Sequence, residues 1–215
     1  MKNNFGEIGE TAEPSENSEK KVESLLKENE ELKEKIKHIE NLLTLDPLTE
    51  VYNRRYIEEE LKSLFEEVEA IKQNKERRTG KEDQLSIIFL DIDDFKKVND
   101  NYGHEAGDIV LKEISGLIKK NIRSSDKVAR YGGEEFIIVL VKASKEDAYQ
   151  KAEHVRKLIS QTKIKINTKD FLTVTVTLGV ASLSNEKSIK ELLNKADKVL
   201  YEGKKSGKNK TTIAE

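Results

Sequence analysis

The sequence predicts an α+β fold: a ferredoxin-like antiparallel sheet with flanking helices, preceded by a coiled-coil helix. Three observations carry this. Residues 18–45 repeat apolar side chains at alternating spacings of three and four. Beyond residue 84 the patterns follow in the order β-α-β-β-α-β. The run Leu85–Leu90 is almost continuously apolar, as a strand buried on both faces would be.

Taken in order, residues 1–17 mix Gly, Glu, Ser, Asn and Pro14 without periodicity and read as a disordered tail. Residues 18–45 place Val22, Leu25, Asn29, Leu32, Ile36, Ile39 and Leu43 on one heptad seam with Lys and Glu elsewhere. A parallel pair of such helices buries that seam, and Asn29 at an a position would fix two strands in register. The alternative is a single amphipathic helix packed on its own domain. Asp46-Pro47 reads as a helix start, with Asp46 as cap and Leu48–Gln73 as the helix. The domain proper occupies residues 46–215. Strands are expected at Leu85–Leu90, Lys127–Tyr131, Phe136–Val141 and Thr173–Val180. Helices are expected over Asp94–Asn101, Ala106–Asn121, Ser144–Gln161 and from Ser188, where Ser188 and Glu191 form a capping box. The helices should lie mainly on one face of the sheet.

Composition narrows the function. The 215 residues carry 39 Lys and Arg against 41 Asp and Glu, a formal net charge of -2. That balance argues against a general nucleic-acid binder. The chain has no cysteine, which excludes disulfides and thiolate metal sites. The N-terminus has no signal-peptide core, and no apolar run reaches membrane-spanning length. A cytoplasmic protein without a membrane partner is the expectation.

The chemistry gathers at two places. The buried strand ends in Asp91, and a hairpin follows with Gly132-Gly133-Glu134-Glu135 at its tip. Two glycines admit a close approach of phosphate to backbone. Adjacent acids repel unless a cation sits between them. Because neighbouring strand residues face opposite sides, one of the two glutamates should share a face with Asp91. Carboxylates on neighbouring strands suit magnesium carrying substrate phosphates. From the residues alone, this site and a solvated acidic hairpin stand level. An EF-hand fits poorly, since Lys96 stands where that loop needs Gly.

Several motifs stand in one order over residues 45–213. They are Asp46-Pro47-Leu48-Thr49 with Asn53-Arg54-Arg55, then Asp91-Ile92-Asp93-Asp94-Phe95-Lys96 with Asn99-Asp100, then Gly103-His104-Glu105-Ala106-Gly107-Asp108. Gly132-Gly133-Glu134-Glu135-Phe136 follows, and Leu200-Tyr201, Lys204, Gly207, Lys208 and Asn209 close the series. Together they resemble the GGDEF family of diguanylate cyclases, in its GGEEF form. The resemblance implies a palm-type nucleotidyl-cyclase fold and condensation of two GTP into cyclic di-GMP across a homodimer. It implies two magnesium ions per site, or manganese, on Asp91, the Ile92 carbonyl, Glu134 and Glu135. Glu134 would help deprotonate the attacking hydroxyl, with Glu135 assisting. Asn99 and Asp108 would read guanine, with His104 near base or ribose. Lys96, Lys204 and Lys208 would neutralise the triphosphate, approached by Gly132 and Gly133. Arg123 and Asp126 match the family's RxxD product-inhibition motif. Three features depart from the pattern: Glu50 where Gly is usual, Lys208 where Arg is usual, and Gln150 and His154 where partner arginines stand.

Overall fold

A computed structural model describes residues 16–73 and 84–215. The expected tail falls almost wholly outside them. The chain divides into two compact units, Met1–Asn41 and Leu42–Glu215.

The helix α1 spans Glu16–Thr44. On its seam Val22, Leu25, Leu32, Ile36 and Ile39 are each at least half exposed. Isolated helices draw little stability from propensity alone.

The second unit is built on a six-stranded sheet. Its strands are β1 (Tyr52–Asn53), β2 (Leu85–Ile92), β3 (Lys127–Arg130), β4 (Glu135–Val141), β7 (Val176–Ser182) and β8 (Thr211–Ile213), in the order β1-β3-β4-β2-β7-β8. A separate small hairpin pairs β5 (Ile164–Lys165) with β6 (Phe171–Leu172). The central strand β2 runs antiparallel to β4 and β7, while the edge pairs β1–β3 and β7–β8 are parallel. Every residue of β2 is buried, as its unbroken apolar run requires. At about 1.5–3 kcal/mol for each fully buried Ile or Leu, this strand is the main anchor of the core.

Side chains alternate across β2 and divide the core in two. Ile88, Leu90 and Ile92 pack with α3 (Phe95–Tyr102), α4 (His104–Lys120) and α5 (Lys145–Gln161). Leu85, Ile87 and Phe89 pack with α2 (Arg54–Gln73) and α6 (Ile189–Lys205). Helices therefore cover both faces, which corrects the one-face expectation. A strand apolar on both sides needs cover on both.

Three further expectations change. The helix expected from Leu48 begins at Arg54, because Glu50 adopts a left-handed φ of 55° and Tyr52–Asn53 pair with β3. Asn53, not Asp46, accepts from the Tyr56 N–H at 2.9 Å at the helix start. At α6, Ser188 accepts from the Glu191 N–H, but the Glu191 carboxylate turns to the Lys187 N–H at 2.9 Å, so the capping box is half formed. The strand expected at 173–180 lies at Val176–Ser182, and β8 follows α6. At α5 a full capping box forms, with Ser144 and Asp147 bonding each other's backbone.

Candidate active site

Asp91 sits one residue from the end of β2, opposite Glu135 on β4, and is 4% exposed. Cross-strand partners point to one face, so these two carboxylates share a side of the sheet. Glu134 precedes the first residue of β4 and escapes strand alternation; its carbonyl accepts from the Ile92 N–H at 3.3 Å. Glu135 stands opposite Asp91, and the Asp91 charge is also felt by Glu134. Burial pushes the Asp91 carboxyl above the usual range, Lys204 pulls it back, and Glu135 adds to the rise. Burial also raises Glu134, and the neighbouring Asp91 charge raises it further. Gly132 makes this crowding sterically feasible, since a Cβ there would collide with the Glu135 carboxylate. Gly133 has open space beside it. Neither glycine has the positive φ that a turn can demand.

Lys204 answers the negative charge directly: its Nζ lies 2.6 Å from Asp91 Oδ2. It gets there because α6 lies almost on the backbone of β7. A Cβ on Gly179 would strike the Ala196 carbonyl and stand 2.6 Å from the Leu200 nitrogen. A Cβ on Gly203 would stand 2.8 Å from Thr177 Cγ2. Lys208, at φ 60°, lies 2.9 Å from Asp94. Lys96 is exposed and makes no ion pair with a described residue.

The residues expected to read a base lie on α3 and α4, directly after β2. Asn99 is half-buried on α3, while Asp108 and His104 are exposed on α4. Asn99 lies tight over α4: a Cβ on Gly107 would overlap its Oδ1. Gly103, at φ 84°, makes the sharp passage between the helices.

The donor set here is hard oxygen around a lysine ammonium. Among the described residues no ready-made cage of three or more His, Asp or Glu side chains stands around a point. Magnesium does not require one, because it commonly takes one or two carboxylates and completes its shell with water and phosphate oxygens. The crowded, cation-seeking carboxylates fit that ion.

The turn at 123–126 is a separate place. Asp126 is 8% exposed and accepts from the Arg123 N–H at 3.0 Å. The Arg123 side chain is exposed. A cavity of about 280 Å³ beside it is lined by Leu45, Glu50, Tyr52, Lys119, Arg123 and Asp126 among others. His154 bonds Asn121 at 3.2 Å.

Sequence reasoning missed several residues. Arg130 bridges Asp46 at 3.3 Å and the Gly133 carbonyl at 2.8 Å, tying the 46–49 turn to the hairpin. Asp46 also accepts from Thr49 N–H and Oγ1, at 2.9 and 2.7 Å. Asp94 stands at the N-cap position of α3 at φ 56° with no side-chain cap bond, and Asp93 holds threonines on and beside β7. The only sequence signal for Arg130 was its place beside the glycine pair.

An acidic strand end, a glycine hairpin and the lysines of α6 and its following loop thus lie at one end of this sheet. The family model described as "Diguanylate cyclase, GGDEF domain" matches residues 43–210, and the chain belongs to this family. It is 44% identical over 135 residues to diguanylate cyclase A of Treponema denticola, covering 62% of this chain and 36% of that protein. It is 36% identical to diguanylate cyclase DosC of Escherichia coli K12, covering 79% and 35%. The chain thus spans little more than a third of these relatives. Among solved structures, the coiled coil and GGDEF domain of DgcB from Caulobacter crescentus in complex with c-di-GMP matches with a TM-score of 0.80. That match is at 27% identity, covering 91% of this chain and 98% of that one. The active GGEEF domain of a diguanylate cyclase from Vibrio cholerae matches at 0.67 and 30%, covering 76% and 97%. Among the described residues no helix is long and apolar enough to cross a membrane.

Proposed function

We propose that this chain condenses two GTP into cyclic di-GMP and two pyrophosphates, acting as one half of a homodimer. The observation that carries the proposal is buried Asp91 opposite Glu135, with Lys204 at 2.6 Å and Glu134 next in the chain, directly before the helices bearing Asn99 and Asp108. Family membership supports it.

Asp91, Glu134, Glu135 and the Ile92 carbonyl would hold two magnesium ions, or manganese. Bound there, the ions supply Lewis-acid charge to attacking and leaving oxygens. Glu134, with its raised carboxyl pKa, is suited to take the proton from the 3′-hydroxyl. Lys96 is free to meet charge developing on the phosphates, and Lys204 and Lys208 neutralise the remainder. Gly132 and Gly133 leave room for phosphate at the hairpin backbone. Asp108 accepts from guanine N1–H and the exocyclic amine, Asn99 donates and accepts, and His104 lies toward the base or ribose.

One such site holds one GTP, and ring closure needs a second, facing copy. The uncovered seam of α1 fits a second copy of itself, which would raise the local concentration of the other domain. A chain starting at Leu43 should lose dimer and activity together at low concentration and recover both at high concentration. Full activity in that shortened chain as a dilute monomer would refute this role. The exposed Arg123 and buried Asp126, beside the cavity, suit feedback by the product.

The direct test is incubation with GTP and magnesium, following pyrophosphate and cyclic dinucleotide. Two pyrophosphates per dinucleotide are expected. No product from a dimer verified by light scattering would overturn the proposal.

A further inference from the structure

We infer that Asp93 and Arg156 are positioning residues, which hold the loop 206–210 and thereby set where Lys208 and the last turn of α6, with Lys204, meet the triphosphate. This rests on the cyclase reading for its substrate. The loop is strained. Gly207, Lys208 and Asn209 stand at φ 110°, 60° and 43°, three left-handed residues in succession. Two of them carry a Cβ, at a cost of order 1 kcal/mol each. Such a backbone persists only where its surroundings over-determine it.

The restraint comes from two sides. Asp93 is 7% exposed, and both oxygens of its carboxylate accept hydrogen bonds. Oδ1 accepts from Thr177 Oγ1 at 2.6 Å, and Oδ2 accepts from Thr175 Oγ1 at 2.7 Å and the Asn209 N–H at 3.0 Å. Bonds to a buried carboxylate are the strong kind. From α5, Arg156 donates to Asn209 Oδ1 at 2.8 Å and to its carbonyl at 3.3 Å. Glu153 grips the same guanidinium at 2.8 and 3.0 Å. The loop then closes back on α6 through the Lys208 N–H and the Gly203 carbonyl, 3.2 Å apart. Lys204 and Lys208 leave this frame in opposite directions of use, one on Asp91 and one on Asp94. Arg156 lies off the row of buried apolar residues of α5, Ala148, Ala152, Val155 and Ile159. Its placement is better explained by the loop than by the core.

The test uses the full chain, with steady-state kinetics in magnesium–GTP and calorimetric binding of a non-hydrolysable GTP analogue. Arg156→Met should raise both KM and the analogue Kd about tenfold, the size of a charged hydrogen bond, with kcat within about twofold. Asp93→Asn should move the same way. Thr177→Val, which removes an Asp93 donor but leaves the Asn209 link, should lower stability and leave KM unchanged. A stable Arg156→Met with unchanged KM and Kd, or with only kcat reduced, would overturn the inference. Wild-type protein that binds the analogue but makes no product would defeat the cyclase reading alone, since the Kd comparison still reports on the loop.

Discussion

The carboxylate end of β2 and the turn at 123–126 each bury an aspartate, yet they solve the burial differently. Asp126 is satisfied locally by a backbone N–H, which leaves the Arg123 side chain facing solvent. Asp91 faces Glu135 across the strands and is answered by Lys204, and its carboxyl is raised by burial and by Glu135. The comparison separates a buried acid that builds a turn from one set among other charged side chains. Burial alone does not distinguish them; the charge left uncompensated does.

The largest effect should come from Asp91→Asn. Turnover should fall at least about 100-fold, as expected when transition-state charge loses its partner. Magnesium should raise the melting temperature of the wild type and not of this variant. Equal magnesium stabilisation of both would break the contrast. Gly179→Ala should come next, because its Cβ would drive α6 from β7 and carry Lys204 away from Asp91. A loss of about 2–3 kcal/mol in urea unfolding is expected, at the upper range for overpacking. The 123–126 turn is untouched by it, so product affinity should hold while GTP affinity falls.

The pH dependence should be unusual for acids. A carboxyl raised in the folded state stabilises the fold fully below its unfolded value, here 3.8 for Asp91 and 4.5 for Glu134, and that stability is lost as pH rises through the folded value. In metal-free protein, these two groups should therefore favour folding as pH falls toward that window. The gain from magnesium should fade over the same range, because protons compete for the ligands. Thermal melts with and without magnesium across pH check both; a magnesium gain that grows on acidification would contradict the assignment. Smallest in stability is Arg123→Ala, within about 0.5 kcal/mol because the side chain is exposed. It should raise the product concentration needed for half-inhibition while leaving initial turnover intact. Unchanged inhibition would remove product from this turn.

Much of the domain was legible because its signals are local. The apolar run of β2, the Ser144 cap and the glycine hairpin mark their own positions. Asp91 could be found because an acid ending a buried strand is chemically conspicuous. Other features lack local signals. Asp46 looked like a helix cap, and its bond to Arg130 joins residues 84 apart. β8 is a short Thr-Thr-Ile run that gains strand geometry from pairing with β7. Asp93 gains its role only from Thr175, Thr177 and Asn209, which the fold brings around it.

The sequence by itself determined the order of elements, the heptad helix, the identity of the acids and the family, because periodicity and residue chemistry are properties of neighbouring positions. Only the tertiary structure decided that Glu135 stands opposite Asp91 in register, that helices cover both faces of the sheet, and that Lys204 reaches Asp91 across a glycine contact. Those outcomes depend on strand register and on how closely two backbones approach, and both are fixed by packing between segments far apart in the chain.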